Sequence, residues 1–377
     1  MVQQILKKDL WNLLVAVCTN RKEFMTTLNI LNDFIAVPSI SGDGESCRKI
    51  VKVAQATLAA EHVPSKVLTV TKRSILIWGE LDLSKTKWLI NSHLDVVPGT
   101  PDQFIPQTKG GKVWGRGAAD TKSSCAIMLA NAGDWSGLAV AKHLTFMLVT
   151  DEEIGGESTK AILKQMKSLQ GAIFLEPISG EKMIVQAKGI IQLKITASGK
   201  VSHGSRPWDG DNALEKITSC LTTFRIHHPS PVRETRETTF NFSLMSSGTA
   251  INQVPVESTL WCDVRWNPAD DPNKIVSDMA QAFHDCKTEV VKLESPIKCP
   301  LDSRLHQSFS FSLKSNSINP INGFEHGSSD ARHCTNLGIP AIVFGPKGKN
   351  LHGDNEWVSL KSMDKVQAVV DHWIKNI

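Results

Sequence analysis

Short apolar runs recur along the chain and predict buried β-strands. Stretches with helical spacing lie between them, notably Ser123–Ala132 and Ser158–Leu169, where Ser158 is the predicted N-cap. Because fully apolar strands that alternate with helices need both faces covered, the pattern predicts an α/β domain with helices on both faces of its sheet. The apolar runs are Trp88–Ile90, Leu144–Val149, Ala172–Leu175 and Ile339–Phe344.

A different pattern begins near residue 185. Apolar and polar residues alternate over Ile191–Ala197, which predicts a strand with one buried face. A helix starting at Asn212, two further alternating strands, a helix starting at Asp271 and a strand over Glu289–Leu293 follow. This β-α-β-β-α-β order is typical of the ferredoxin-like sandwich, so we expect an inserted α+β domain over residues 185–296. The larger domain is then formed by residues 1–184 and 297–377.

Composition narrows the possible partners. The net charge of the 377 residues is +4 and the signs are interspersed, so neither nucleic acid nor a membrane is expected as a partner. Eight scattered cysteines without CxxC spacing indicate thiols of a reducing compartment, and we expect a cytoplasmic protein. The apolar run Leu10–Cys18 is expected to form a helix followed by basic residues, since it lacks the features of a signal peptide.

Acids and histidines follow the apolar runs. In open α/β sheets the ligand crevice lies beyond the carboxyl ends of the strands, so distant segments can deliver these side chains to one place. Two imidazoles and three carboxylates suit a pair of Zn²⁺, Mn²⁺ or Co²⁺ ions, and the absence of thiolates argues against a structural zinc site. The candidate ligands are His93, Asp120, Glu153, Glu176 and His352.

Each of these residues also has an ordinary structural explanation. A histidine at a strand end is more often a capped core or surface residue, and the pair Glu152-Glu153 resembles a solvated turn. Asp120 would favour the start of the following helix through its dipole. The stretch Gly115–Asp120 suggests a nucleotide loop, but its spacing is neither Walker A nor GxGxxG. Five such features at the expected sheet edge are hard to explain separately, which favours the metal site.

Several motifs together resemble the zinc amidohydrolases of the M20 peptidase type, which include succinyl-diaminopimelate desuccinylase, acetylornithine deacetylase and carboxypeptidase G-like enzymes. The resemblance covers essentially the whole chain after about Leu28. It implies a mixed-sheet catalytic domain and an inserted lid or dimerisation domain. The motifs that carry it are Ser92–Pro98, Gly115–Lys122, Thr150–Glu153, Glu176-Pro177, Ser202–Pro207 and His352–Glu356.

The resemblance implies a catalytic centre with two divalent ions, zinc first and Co²⁺ or Mn²⁺ as alternatives. Asp120 would bridge the ions, and a cis peptide bond would follow it. His93 and Glu176 would complete one metal site, and Glu153 and His352 the other. Two further acids have implied roles: Asp95 would orient the imidazole of His93, and Glu152 would be the general base, with a pKa raised by burial and neighbouring carboxylates.

The resemblance also implies residues that contact the substrate. His203 in the inserted domain would donate a hydrogen bond to the oxyanion. Arg265 and Asn252 would bind a substrate carboxylate, although a salt bridge between Arg265 and Asp263 is an alternative explanation of the arginine. Ser328 and Ser329 would line the substrate pocket, whereas Glu356 is expected to provide structural support.

These expectations together predict a metallohydrolase. Its substrate would be an N-acyl amino acid or short peptide with a free carboxylate, whose amide bond is cleaved by a metal-bridged water. The motifs leave open whether the enzyme is an N-succinyl or N-acetyl deacylase or instead a di- or carboxypeptidase. A non-catalytic binding or scaffold relative is the competing class. A homodimer through the inserted domain is possible because an edge of its sheet is available for pairing.

Overall fold

The computed structural model describes residues 26–177 and 182–377, so the helix expected over Leu10–Cys18 lies outside the described residues. The chain folds into two compact units, and the second unit consists of residues 186–298 and 324–328. The helices are α1 Thr27–Ile35, α2 Gly44–Ala60, α3 Ser123–Ala130, α4 Ala132–Ala141, α5 Glu157–Leu163, α6 Ala213–His227, α7 Pro272–Ala282, α8 Arg304–Ser315, α9 Arg332–Thr335 and α10 Leu360–Asn376.

The described strands belong to one large sheet, a four-stranded sheet in the second unit, or a small sheet of short strands. The first nine strands are β1 Ser65–Val70, β2 Arg73–Gly79, β3 Trp88–His93, β4 Gln107–Lys109, β5 Lys112–Trp114, β6 Leu144–Val149, β7 Gly171–Leu175, β8 Lys182–Ala187 and β9 Gly189–Ser198. The others are β10 Thr239–Ser247, β11 Glu257–Trp266, β12 Lys287–Glu294, β13 Ile297–Lys298, β14 Ile321–Glu325, β15 Ala341–Phe344, β16 Gly348–Lys349 and β17 Trp357–Ser359.

The first unit is built on a mixed sheet with strand order β1-β2-β6-β3-β7-β15-β8. Strand β3 pairs in parallel with β6 and β7, and β7 pairs in parallel with β15, whereas β1, β2 and β8 are joined by antiparallel pairs. Every residue of β3, β6, β7 and β15 is buried, which requires cover on both faces of the sheet. The four predicted apolar runs are therefore confirmed as strands. Three of them agree within two residues at each end, and the strand predicted over Trp88–Ile90 continues to His93.

Of the two helices predicted between these strands, the first is α3, which begins at Ser123 as predicted and ends at Ala130. The helix predicted over Ser158–Leu169 is α5, which begins at Glu157 after its N-cap Gly156 and ends at Leu163, well before the predicted end. The prediction that Ser158 caps it is wrong, because the Ser158 hydroxyl donates instead to the carboxylate of Asp151, which also accepts the Ser158 N–H. Asp151 thus accepts a backbone N–H in the first turn of α5, which is the role predicted for the Ser158 side chain.

The second unit holds an antiparallel sheet with strand order β10-β11-β9-β12, and α6 and α7 lie in the connections. This is the ferredoxin-like order. Apolar residues on one face of the sheet and on both helices form its core, among them Ile195, Leu260, Ile217 and Met279. Asn212 and Asp271 cap the two helices as predicted: Asn212 accepts two backbone N–H groups of the first turn, and Asp271 accepts one. A lid or dimerisation role for this unit stays a prediction.

Two further features complete the fold. The short strands form a separate sheet with order β16-β17-β5-β4, in which β5 precedes Asp120 in the chain, and β16 and β17 lie on either side of His352. Among the helices of the described ranges, none has both the length and the apolar character that crossing a membrane would need.

Candidate metal centre and active site

Three of the predicted ligands surround the carboxylate of Asp120. His93 Nε2 lies 3.1 Å from Asp120 Oδ1, and His352 Nε2 lies 3.1 Å from Asp120 Oδ2. His352 Nε2 also lies 3.0 Å from Glu153 Oε2. The two oxygens of Asp120 thus face different histidines, as a carboxylate that bridges two ions would need.

The donor set fits a divalent cation. Ligand atoms of Asp120, Glu153 and His352 all lie within 4.8 Å of one another. Glu153 Oε1 is buried and has no hydrogen-bond partner, so this oxygen is available for coordination. Imidazole nitrogen and carboxylate oxygen are the ligand types of catalytic zinc sites.

Strand ends and tight turns position these side chains. His93 is the last residue of β3, and Glu176 directly follows β7. Glu153 lies in a single 3-10 turn, Glu152–Ile154, that follows β6. Because β3, β6 and β7 run parallel, their carboxyl ends meet at one edge of the sheet. Asp120 comes from the turn before α3, and the predicted cis peptide bond between Asp120 and Thr121 is confirmed.

Asp95 is fully buried and organises the neighbouring loops. Its carboxylate accepts the Ser41 hydroxyl at 2.7 Å and the backbone N–H groups of Glu152 and Glu153 at 3.4 and 3.3 Å. His93 Nδ1 is 3.0 Å from the backbone oxygen of Asp95 and 3.6 Å from its carboxylate. The residue thus contacts the imidazole chiefly through its main chain, while its side chain fixes the turn that carries Glu152.

Burial and crowding of charge shift several pKa values. Burial, with the charges of Glu176 and Asp330, raises the pKa of Glu152 well above its ordinary value. Burial raises the pKa of Glu176 to about 7. Hydrogen bonds to Asp120 and Glu153 raise the pKa of His352 to about 10. A raised pKa at Glu152 is what the general-base expectation required.

Imidazole and carboxylate stabilise each other at the centre of the cluster. Burial alone would lower the pKa of His93, but hydrogen bonds to Asp120 and Asp95 raise it well above its ordinary value. Burial alone would raise the pKa of Asp120, but His352 and His93 hold it below its usual range. A bound cation acts on the same atoms as these protons, so metal and protons compete for the site.

Glu176 hydrogen-bonds to Ser329, the residue that precedes a second buried network. The Ser329 hydroxyl donates to Glu176 Oε1 at 2.7 Å, so Ser329 touches a candidate ligand. The next residue, Asp330, is fully buried, accepts the hydroxyl of Thr159 and lies 3.4 Å from Arg332 Nη1. Arg332 Nη2 donates to the backbone oxygen of Gly155 at 2.7 Å. This network supports the loop that follows Glu152.

Gly156 shows how tightly that loop is packed. Its φ is +62°, a left-handed conformation, and a Cβ atom there would lie 1.7 Å from Asp330 Oδ1. Sequence reasoning missed the role of Asp330, although the two preceding residues, Ser328 and Ser329, are predicted to line the substrate pocket. An acid next to two serines carries no signal for a partner 171 residues away.

The predicted substrate residues of the second unit are more exposed. His203 is exposed, and its Nδ1 accepts the backbone N–H of Ser205 at 3.2 Å. Arg265 Nε donates to Asp263 Oδ1 at 2.6 Å, so the salt bridge named as the alternative is present. Asn252 is exposed, and its backbone oxygen accepts the N–H of Gly204. Ser328 Oγ is buried without a hydrogen-bond partner. Contact of these residues with a substrate stays a prediction.

Fold and site together define a metal-dependent hydrolase of the α/β class. Residues 89–376 match the description Peptidase family M20/M25/M40, and the chain therefore belongs to this family. Its membership makes it a hydrolase of the peptidase and amidohydrolase type, as the sequence motifs predicted.

Individual proteins also match this chain over most of its length. A succinyl-diaminopimelate desuccinylase of Bordetella avium is 24% identical over 379 residues, covering 93% of this chain and 98% of its own. A tripeptidase structure from Staphylococcus aureus superposes with a TM-score of 0.74 at 21% identity, covering 93% of this chain and 97% of its own. A Bacillus subtilis structure described as a dinuclear metal-binding peptidase of the M20 family superposes with a TM-score of 0.67 at 13% identity, covering 92% and 96%. At these identities the two structures establish the fold.

Proposed function

We propose that this protein hydrolyses the amide bond of an N-acyl amino acid or a short peptide with a free carboxylate, using two divalent ions, with zinc as the expected metal. One observation carries the proposal: the Asp120 carboxylate faces His93 on one oxygen and His352 on the other, each at 3.1 Å. In this arrangement, each of the two oxygens of Asp120 would bind a different cation.

The proposed ligands divide between the two ions. Asp120 would be shared, His93 and Glu176 would hold one ion, and Glu153 and His352 the other. The unpartnered oxygen of Glu153 and the mixed nitrogen and oxygen donors support this assignment. When bound, a pair of divalent ions lowers the pKa of water and polarises an amide carbonyl.

Glu152 is the proposed general base. It follows Asp151 in the turn after β6, and its backbone N–H donates to the buried carboxylate of Asp95, which helps to hold this turn in place. A carboxylate with a raised pKa takes a proton from water more readily and can return it to the leaving nitrogen. Glu152 is thus proposed to act twice in each turnover.

His203 is the proposed donor to the oxyanion. Because the N–H of Ser205 points to His203 Nδ1, the neutral imidazole carries its proton on Nε2. An exposed Nε2–H is a hydrogen-bond donor for an oxygen that gains negative charge in the transition state. The tautomer fixed by Ser205 therefore suits this role.

The substrate class is proposed from the family. Its relatives include a desuccinylase and a tripeptidase, so both a deacylase and a peptidase activity fit the proposed site. Both substrate types carry a free carboxylate, for which we propose Arg265 and Asn252 as ligands, with Ser328 and Ser329 lining the pocket. Arg265 would have to share its charge between Asp263 and the substrate.

A substrate panel tests the proposal. We expect purified protein with Zn²⁺, Co²⁺ or Mn²⁺ to hydrolyse at least one of three groups: N-succinyl amino acids, N-acetyl amino acids, or di- and tripeptides. The Glu152→Gln variant is the blank, because it should bind the same ions without turnover. If the loaded protein cleaves none of the three groups, or if Glu152→Gln is as active as the parent, the proposed function is wrong.

Two further proposals concern the location of the protein in the cell and its oligomeric state. The seven described cysteines are free thiols, which supports a reducing compartment and thus a cytoplasmic location. The edge strands β10 and β12 expose Leu244 and Val291, which supports pairing of two copies through the second unit. Sedimentation of the purified protein at several concentrations tests the dimer, and a single species of monomer mass would exclude it.

A further inference from the structure

The turn that carries Asp120 is wrapped around one buried carboxylate. Glu356 Oε2 accepts the N–H of Gly117 at 3.0 Å, and its Oε1 accepts the N–H groups of Ala119 and Asp120 at 2.9 and 3.1 Å. Glu356 is only 3% exposed. Three backbone donors from four consecutive residues thus converge on a single side chain, which comes from a position 236 residues later than Asp120.

Arg116 joins this carboxylate to the loop of His352. Arg116 Nη1 donates to Glu356 Oε2 at 2.9 Å, and Nη2 donates to the backbone oxygen of His352 at 3.1 Å. Arg116 is 4% exposed and Glu356 is also buried, so the ion pair between them is shielded from water. A planar guanidinium fixes the direction of its two donors relative to each other.

We propose that Glu356 and Arg116 are positioning residues for the candidate metal centre, because together they set where Asp120 and His352 stand relative to each other. The inference rests on the proposed function of that centre. Neither residue is assigned a contact with metal or substrate. Glu356 acts through backbone N–H groups of the turn that carries Asp120, and Arg116 acts through the backbone oxygen of His352.

Hydrogen-bond chemistry explains why position 356 needs an acid. A carboxylate offers two acceptor oxygens and no donor, so it can satisfy the three N–H groups and Arg116 at once. A glutamine has the same shape but only one acceptor oxygen, and its NH₂ group would face a backbone N–H or the guanidinium. Buried donors without partners are costly, so the turn would shift to find others.

Metal binding by the Glu356→Gln variant tests the proposal. Equilibrium titration with Co²⁺ alone should show affinity 10- to 100-fold lower than that of the parent, the usual effect of removing support behind a ligand. Both binding steps should weaken, because Asp120 is proposed to serve both ions. The visible spectrum of the bound Co²⁺ should also change, since it reports coordination geometry and not stability. The matched control is Glu45→Gln, whose exposed carboxylate pairs with Lys49 on α2.

Arg116→Lys gives an independent test if Glu356→Gln does not fold. Lysine keeps the charge but cannot bridge Glu356 and the His352 oxygen with fixed geometry. It should weaken chiefly one of the two binding steps, by about tenfold. Parent affinity and an unchanged Co²⁺ spectrum in a folded variant of either position, even with a lower melting temperature, would make the pair merely structural and overturn the proposal. Failure of the parent protein itself to bind Co²⁺ or Zn²⁺ would overturn the proposed function as well.

Discussion

The two units hold their functional polar residues in opposite ways. In the first unit, His93 and Asp95 are almost completely buried, and each hydrogen-bonds to other candidate site residues. In the second unit, His203 and Asn252 are exposed, and the His203 ring hydrogen-bonds to Ser205, two residues along the chain. Buried polar groups depend on their partners for stability, whereas exposed ones do not. Substitutions in the first unit should therefore alter stability or chemistry strongly, and those in the second should alter only rate or binding.

Glu152→Gln should have the largest effect. We expect kcat to fall by about 10²- to 10⁴-fold, because the variant lacks a proton acceptor, while metal binding is retained. Stability should not fall, since a carboxyl group whose pKa is raised gains little from ionisation. Steady-state kinetics and metal titration measure both. Glu157→Gln, an exposed neighbour that pairs with Lys160, is the control. A kcat within twofold of the parent would remove Glu152 from the mechanism.

Asp330→Ala should be the most destabilising of these changes. It leaves the buried charge of Arg332 without this carboxylate and should cost about 3–5 kcal/mol of unfolding free energy. Urea denaturation measures the change, and the exposed Asp134→Ala is the control, with an expected loss below about 1 kcal/mol. A loss of the same size in both variants would contradict the idea that buried acids contribute more than exposed ones to the free energy of unfolding.

The contribution of Asp330 should also depend on pH. Burial alone would raise its pKa, but His333 and Arg332 hold it below the ordinary value. Because the folded-state pKa is the lower one, the stabilisation is present above the unfolded pKa of 3.8 and is lost as pH falls through the folded value. The difference in unfolding free energy between the parent and Asp330→Asn should therefore stay constant from pH 7 to pH 5 and shrink below about pH 4. A difference that grows on acidification would reverse this sign.

His203→Ala should reduce kcat by about 10²- to 10³-fold with a smaller change in KM, as expected for the loss of one oxyanion donor. Its melting temperature should match that of the parent, because the side chain is exposed. His284→Ala, another exposed histidine of the second unit, is the control. An unchanged kcat would withdraw the oxyanion assignment.

Asp263→Asn should have the smallest effect. Its carboxylate pairs with Arg265, and both side chains are partly exposed, so the pair should be worth less than about 1 kcal/mol. Thermal unfolding measures this value. A loss comparable to that of Asp330→Ala would show that the second unit also depends on buried charge.

Much of the fold was predictable because it is encoded locally. The runs Leu144–Val149 and Ala172–Leu175 became strands almost at their predicted ends, and Asn212 capped its helix as expected. Their signals lie in hydrophobicity and in the residues that cap a first turn. The short strands β16 and β17, by contrast, have two and three residues, too few for alternation to be visible.

The candidate ligands were predictable for a different reason. Strand ends meet at one edge of a parallel sheet, so an acid or histidine after an apolar run has a foreseeable position. Contacts between distant segments have no such rule. Nothing in the residues around Arg116 or Asp330 indicates that one meets Glu356 and the other Thr159, because each partner arrives through the tertiary fold. The prediction that Ser158 is an N-cap failed for the same reason, because its hydroxyl donates to Asp151, a contact that the tertiary fold creates.

The packing at Gly156 has a consequence for anyone who tries to reshape this enzyme. In a library that varies the loop after Glu152, only glycine will fit at position 156, since every side chain there collides with the Asp330 carboxylate. Two residues earlier, Ile154 is half exposed and open to change. Directed evolution of new specificity should therefore accept many amino acids at 154 and return only glycine at 156.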